Sequence, residues 1–159
     1  MTKKHIGTMI FYGVMAGIII IRVIGLLNIH RVSGASMEPT YHENDILFSS
    51  NLVKYDRGSV VVAKSPDGKM VIKRIIGLPG DKIQIIDDAV IINNEQLYEP
   101  YIKPDYCTVP KNGTYDLADD EYFIAGDNRC YSMDSRTYGP VKKENILASI
   151  ISKPKERSQ

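Results

Sequence analysis

Residues 69–92, KMVIKRIIGLPGDKIQIIDDAVII, contain three short apolar runs that are separated by Gly, Pro and Asp. Runs of this length between turn-forming residues are typical of β-strands, and we predict strands at 69–77, 82–86 and 89–92. The last two are separated by two aspartates, a spacing that favours a β-hairpin with a tight turn. This part of the chain therefore indicates β structure.

The same pattern extends in both directions from this stretch. Further strands are predicted at 29–33, 45–50, 59–64, 121–125 and 146–152. Residues 98–118, which are rich in Tyr, Pro, Lys and Asp, are predicted to form a longer loop or insertion. Because no segment after residue 30 has a sustained helical period, we predict an all-β domain at 28–152, built as a folded, barrel-like antiparallel sheet, with a polar tail at 153–159.

The N-terminal part of the chain has a different character. Residues 1–5 are polar, and residues 6–27 are apolar except for Arg22. A helix of the latter length spans about 33 Å, enough to cross a hydrocarbon core of about 30 Å, so we predict a transmembrane helix at 6–27. A buried core helix and a cleaved secretory signal, with a small-x-small site at 33–35, are the alternatives. The charges on the two sides leave the orientation open.

Composition excludes several functional classes. The chain has 159 residues, a net charge of +1 and 25% charged residues, without the concentrated basic surface that nucleic-acid binding requires. Its two cysteines, Cys107 and Cys130, are too few for a disulfide framework or a zinc site and leave a single bridge between them open. The carboxylates lack metal-ligand grouping, so we expect no metal or other cofactor.

Ser36 is the first candidate catalytic residue. It lies in the stretch VSGASMEPT, residues 32–40. Gly34 lets the backbone approach a substrate closely, and Pro39 fixes the direction in which the chain leaves. On its own, this pattern is more typical of an ordinary turn between two strands.

A nucleophilic serine needs a base, and Lys73 is the candidate. A serine hydroxyl is a poor nucleophile at neutral pH, and none of the three histidines lies in a carboxylate-rich context. Val71, Ile72, Ile75 and Ile76 surround Lys73 in the sequence, and burial lowers the pKa of a lysine so that it can accept a proton. A lysine on a strand is otherwise usually solvent-exposed.

A third stretch, residues 126–136, GDNRCYSMDSR, strengthens this interpretation. It follows an apolar strand and offers hydroxyls that could hold a neutral lysine amine, together with Asp and Arg residues that could brace the loop. By itself it would be interpreted as a surface loop.

Four segments, in this order, resemble the conserved boxes of the type I signal peptidases of peptidase family S26. These are membrane-bound Ser/Lys proteases that remove signal peptides from exported preproteins. The four segments are SMEPT at 36–40, RGSVVV at 57–62, KRIIGLPGD at 73–81 and GDN through DSR at 126–136. With the predicted membrane segment, the resemblance covers nearly the whole chain and is closest to the smaller Gram-positive form.

The resemblance implies a serine endopeptidase in which Ser36 is the nucleophile and Lys73 the general base of an acyl-enzyme mechanism. It implies that the third segment supplies the supporting residues Ser132, which orients the lysine, Asp134 and Arg136, which form a structural ion pair, and Asp127. The backbone N–H of Ser36 is the expected oxyanion donor. Gly34 stands where some family members have a serine whose hydroxyl also donates, so the second donor is left open.

The resemblance also implies substrate and location. Signal peptides would bind as an added β-strand, and shallow apolar pockets would select small side chains first and third before the cut, as in Ala-x-Ala. The expected pocket residues, for which ordinary core packing is the alternative, are Val32, Met37, Tyr41, Val62 and Ile72. Residues 1–5 would be cytoplasmic and the catalytic domain extracytoplasmic, in a single-pass protein of the cell membrane.

The expected partners are preprotein signal peptides, the lipid bilayer and, in one variant, a dedicated surface or pilus subunit, with no nucleic acid. Three alternatives remain at this point. The chain could be a non-catalytic assembly or chaperone factor for a surface structure such as a pilus. It could belong to the self-cleaving Ser/Lys repressors, although these carry a soluble DNA-binding region. It could also be a secreted β domain cut after Ala35.

Overall fold

The computed structural model describes residues 9, 11–17, 27–87, 89–102, 112–152 and 154. Residues 9 and 11–17 are helical, and Ser135–Tyr138 form a short helix. The strands of the described part are β1 Leu27–Arg31, β2 Ile46–Ser50, β3 Val60–Lys64, β4 Met70–Gly77, β5 Lys82–Ile86, β6 Ala89–Ile92, β7 Glu95–Gln96, β8 Gly113–Asp116, β9 Glu121–Ala125, β10 Val141–Lys142 and β11 Ile146–Ile150.

The strands form two antiparallel sheets. The larger sheet has the order β1-β2-β11-β3-β4-β9-β10, and the smaller one has the order β7-β6-β5-β8. The prediction of a mostly antiparallel β fold is confirmed. The predicted strands at 82–86, 89–92 and 121–125 match the observed bounds, and the others agree with them to within one or two residues at each end.

The hairpin between β5 and β6 shows why the apolar pattern was informative. Ile83 and Ile85 are buried while their neighbours on β5 are exposed, so one face of the strand lies on the core. Ile86 pairs with Ala89 across the two aspartates, as predicted. Asp87 has a φ of 48°, in the left-handed region that Asp tolerates better than most residues.

The prediction of a loop throughout 98–118 was wrong in part. Gly113–Asp116 form β8, which pairs with β5. The sequence GTYD looks like a turn, but Tyr115 packs against Phe123, with 4.7 Å between the ring centroids. This tertiary contact outweighs the local turn preference. The short strands β7 and β10 were also not predicted, and residues 103–111 lie outside the described residues.

The predicted transmembrane helix falls largely outside the described residues, which omit 6–8, 10 and 18–26. Leu27, the last residue of the predicted span, belongs to β1, because it pairs with Ser50 of β2. Within the described ranges, no helix is long and apolar enough to cross a membrane. The predicted segment at 1–5 is also outside these ranges, as are residues 153 and 155–159 of the predicted tail.

Strand β4 is the element that positions the site. It pairs with β3 on one side and with β9 on the other, so its middle is an interior part of the larger sheet. Ile75, which is fully buried, belongs to a core cluster with Val61, Ile124 and neighbouring side chains. A lysine in the middle of such a strand is surrounded by protein.

Candidate active site

Lys73 and Ser36 meet at the surface of the larger sheet. Lys73 pairs with Val61 of β3 and is 4% exposed, whereas Ser36 lies in the loop between β1 and β2 and is partly exposed. The distance from Lys73 Nζ to Ser36 Oγ is 2.6 Å. A charged lysine donates to the hydroxyl at this distance, and a neutral one accepts the hydroxyl proton.

Burial lowers the pKa of Lys73 from 10.5 to about 8. Asp134 opposes this shift by attraction, Arg136 adds to it by repulsion, and Asp127 opposes it again. The largest cause is desolvation, because a charged amine is poorly stabilised inside the protein. About one tenth of the lysine is therefore neutral at pH 7 and half at pH 8.

Asn128 holds the loop that carries the serine. Its backbone N–H donates to the carbonyl of Ser36 at 3.1 Å. Its side-chain amide donates to the carbonyl of Ala35, also at 3.1 Å, and the residue is 2% exposed. These two bonds fix the peptide before Ser36 and the peptide after it. Asn128 belongs to the third segment, but no role was predicted for it.

Gly126 and Ser132 lie directly against the serine loop. A Cβ atom at Gly126 would collide with the side chain of Ser132 and with the carbonyl oxygen of Ser36. Ser132 itself is 4% exposed. The structure therefore brings Ser132 next to the backbone of Ser36, while its role in orienting Lys73 stays a prediction.

Asp134 and Arg136 form a buried ion pair behind this point, with Arg136 Nη2 donating to Asp134 Oδ2 at 2.8 Å. The backbone N–H of Gly126 donates to the same carboxylate oxygen at 3.0 Å. Burial alone would raise the pKa of Asp134, but hydrogen bonds from Arg136, Ser132 and Gly126 and the charge of Arg136 lower it overall. The carboxylate therefore stays ionised and ties the arginine to the turn at Gly126.

Asp127, which is fully buried, pairs with Arg74, a residue that the sequence analysis did not single out. Arg74 donates to both carboxylate oxygens, at 2.8 and 2.6 Å. The Thr40 hydroxyl donates to one of them at 2.5 Å, and Arg74 also donates to the carbonyl of Gly58 at 2.7 Å. Together with Thr40, this bidentate pair connects β4, the loop that carries Ser36 and the third segment. The sequence feature that could have identified Arg74 is its position directly after Lys73 in one of the four segments.

A second ion pair that was not predicted joins the segment after β7 to the third segment. Arg129 and Glu99 are paired, and each side chain is only 5% exposed. Arg129 also donates to the carbonyl of Gly126 at 3.1 Å, and Tyr101 donates to Glu99 at 2.9 Å. Glu99 lies in the region predicted to be a loop, where nothing in the sequence indicated its partner.

A groove of about 150 Å³ runs beside the two catalytic candidates. Val32, Met37 and Ile72 line it together with Ser36 and Lys73. Three of the five predicted pocket residues therefore share this groove with Ser36 and Lys73.

Three other predicted pocket and oxyanion residues, Val62, Tyr41 and Gly34, do not line this groove. Val62 lines a neighbouring cavity of about 260 Å³ that Ile72 shares. Tyr41 is buried, and its hydroxyl donates to the carbonyl of Ser152 at 2.7 Å. Gly34 is exposed and has a φ of 80°, a conformation that favours glycine.

Among the residues that the structure describes, no group of three or more His, Cys, Asp and Glu side chains could hold a metal ion. Cys130, beside the buried Arg129, is disulfide-bonded, and Cys107 lies outside the described residues.

The sequence model of a known family, described as "Signal peptidase, peptidase S26", matches residues 3–153. The chain belongs to this family. Signal peptidase I V of Bacillus subtilis (strain 168) is 37% identical over 155 residues, an alignment covering 87% of this chain and 92% of the relative. A signal peptidase I of Bacillus amyloliquefaciens is 42% identical over 131 residues, covering 74% and 70%.

A solved structure supports the same assignment. The crystal structure of a signal peptidase I from Enterococcus faecalis V583 matches with a TM-score of 0.53 and 31% identity, covering 61% of this chain and 97% of that one. The resemblance noted from four short segments is thereby confirmed as membership of the signal peptidase I family.

Proposed function

We propose that this member of the signal peptidase family is a serine endopeptidase that removes signal peptides from exported preproteins with a Ser36/Lys73 dyad. The observation that carries the proposal is the 2.6 Å contact between Lys73 Nζ and Ser36 Oγ, made by a lysine that is 4% exposed. A buried lysine with a lowered pKa can act as a general base near neutral pH, and a serine next to it becomes a nucleophile.

In the proposed mechanism, neutral Lys73 accepts the hydroxyl proton as Ser36 Oγ attacks the scissile carbonyl. The lysine then gives a proton to the leaving amine, and an acyl-enzyme remains on Ser36. In the second half, Lys73 takes a proton from water, which attacks the ester, and then returns this proton to Ser36 Oγ as the signal peptide is released. The backbone N–H of Ser36 is the oxyanion donor in this scheme.

The supporting residues would act by holding these groups in place. Asn128 fixes the backbone of Ser36, and the Asp134–Arg136 pair fixes the turn at Gly126. Ser132, buried beside that turn, is proposed to orient the lysine amine. Correct alignment of a nucleophile and its base can contribute several kcal/mol to lowering the barrier.

The substrate would bind as an extended strand, with small side chains at the first and third positions before the cut. The groove lined by Val32, Met37 and Ile72, at about 150 Å³, suits a small side chain better than a large one. This supports cleavage after an Ala-x-Ala sequence.

We further propose a single-pass membrane protein with the catalytic domain on the extracytoplasmic face. The apolar segment at 6–27 would anchor the domain in the bilayer where signal peptides reside. Confining enzyme and substrate to the same plane raises their effective concentration. A dedicated client, such as a surface or pilus subunit, is one version of this proposal.

The test is cleavage of a preprotein by the full chain in detergent, with sequencing of the new amino terminus. Ser36→Ala and Lys73→Ala are expected to abolish cleavage, and Lys142→Ala, which removes an exposed lysine, serves as the matched control. Cleavage after a small-x-small site that both dyad variants lose would support the proposal. If neither general nor neighbouring-gene substrates are cut, the assembly-factor alternative takes its place.

A further inference from the structure

A second cavity adjoins the dyad. Its volume is about 410 Å³, and it shares Lys73 and Val71 with the groove at Ser36. Its other walls come from the turn between β3 and β4 and from the segment after Ser132. The two cavities therefore meet at β4, on the lysine that the proposed reaction uses.

The walls of this second cavity are mostly apolar. They include Pro66, Val71, Met133 and Tyr138. Val71 and Tyr138 also pack against the core cluster beneath β3, β4 and β9, so this part of the wall is held by the interior of the protein. Met133, which is 71% exposed, forms the solvent-facing edge of the cavity. A fixed apolar cavity of this kind suits an apolar side chain.

The proposed reaction requires that the part of the substrate after the cut passes next to Lys73. After attack, the part of the substrate before the cut stays on Ser36, in the groove lined by Val32 and Met37. The part after the cut must keep its amine near Lys73 Nζ until it has taken a proton. A cavity that has Lys73 in its wall and lies next to that groove is in the right place to hold this part.

The geometry of an extended chain identifies the residue that would enter the cavity. Successive side chains of a strand point to opposite faces, with a rise of about 3.3 Å per residue. If the first and third side chains before the cut face the enzyme, the next one on the same face is the second residue after the cut. It would lie about 7 Å farther along the chain than the first residue before the cut.

We propose that this cavity binds the side chain of the second residue after the cut and selects an apolar side chain such as Leu, Met or Phe. The proposal rests on the proposed function, since it assigns a further specificity site to the same reaction. The exposed ion pair between Lys69 and Asp67, at 2.7 Å, lies at the edge of the cavity and leaves its apolar wall to the ligand.

The experiment uses the full chain in detergent with a series of preprotein-derived peptides that differ only at the second residue after the cut. We expect kcat/KM to be about fivefold to tenfold higher with Leu, Met or Phe than with Ala, because filling an apolar pocket contributes this much to discrimination. Asp at the same position is expected to give a lower kcat/KM than Ala, since its charge would be desolvated.

Two exposed methionines provide matched variants. Met133 lines the second cavity and Met70, which is 65% exposed, lines the groove at Ser36. Met133→Ala is expected to reduce the preference at the second residue after the cut by about threefold and to leave the preference before the cut unchanged. Met70→Ala is expected to leave the preference after the cut unchanged.

The outcomes separate this proposal from the one on which it rests. If no peptide of the series is cut, the proposed function and the second site both fail. If the peptides are cut equally well, or if Met133→Ala leaves the preference for Leu, Met and Phe intact, the second site alone is refuted. A preference that Met133→Ala weakens and Met70→Ala preserves would establish it.

Discussion

The pH dependence of cleavage follows from the burial of Lys73. In the proposed mechanism the lysine must be neutral to accept the Ser36 proton, and its pKa in the folded protein is about 8. Below that pH the neutral fraction falls tenfold for each pH unit. We therefore expect kcat/KM to rise about tenfold from pH 6 to pH 7, about tenfold again from pH 7 to pH 9, and then to level off.

The assay is cleavage of a soluble peptide by the full chain in detergent at constant ionic strength from pH 6 to pH 10. kcat/KM reports the free enzyme, and kcat reports the enzyme–substrate complex. Because bound substrate would cover the partly exposed Ser36 and exclude water from the dyad, the midpoint of kcat is expected to be no higher than that of kcat/KM.

Two results would refute this reasoning. A midpoint near 10.5 would mean that burial does not lower the pKa of the lysine in the working enzyme. A midpoint at or below 6.5 that His30→Gln abolishes would assign the titration to a histidine. His30 hydrogen-bonds Ser49 Oγ at 2.8 Å, and burial lowers its pKa from 6.5, so it contributes little to a profile above pH 7.

Three further predictions concern stability and alignment. Lys73→Met is expected to stabilise the full chain by up to about 3 kcal/mol at pH 7, because it removes a charge whose burial lowers the lysine pKa from 10.5 to about 8. Between pH 8 and 10.5 the unfolded wild-type chain binds more protons than the folded one, so wild-type stability rises and the advantage of the variant should disappear. Equal urea midpoints of the wild-type chain at pH 7 and pH 10 would contradict this. Asp127→Asn is expected to cost about 3 kcal/mol in urea unfolding, since it leaves Arg74 without its carboxylate, and the loss should be much smaller in an Arg74→Leu background. Gly126→Ala is expected to lower kcat at least a hundredfold by displacing Ser132 and Ser36, and wild-type kinetics in a folded variant would count against the crowding at this turn.

Much of the β architecture was predictable because it depends on local pattern. The apolar runs bounded by Gly, Pro and Asp located the major strands, and the two aspartates located the hairpin between β5 and β6. Strand β8 was missed since its four residues, GTYD, gain their conformation from pairing with β5. The strand exists because of a distant partner, which a local pattern does not contain.

The sequence by itself determined the types of residue available for chemistry: a serine after a glycine, a lysine within an apolar run, and a loop of hydroxyls, acids and arginines. Only the tertiary structure decided which of these meet. It places Lys73 Nζ 2.6 Å from Ser36 Oγ across 37 residues of sequence, and it pairs Asp127 with Arg74. Distances and burial arise from the packing of β4 between β3 and β9, and the lowered pKa of Lys73 is a consequence of that burial.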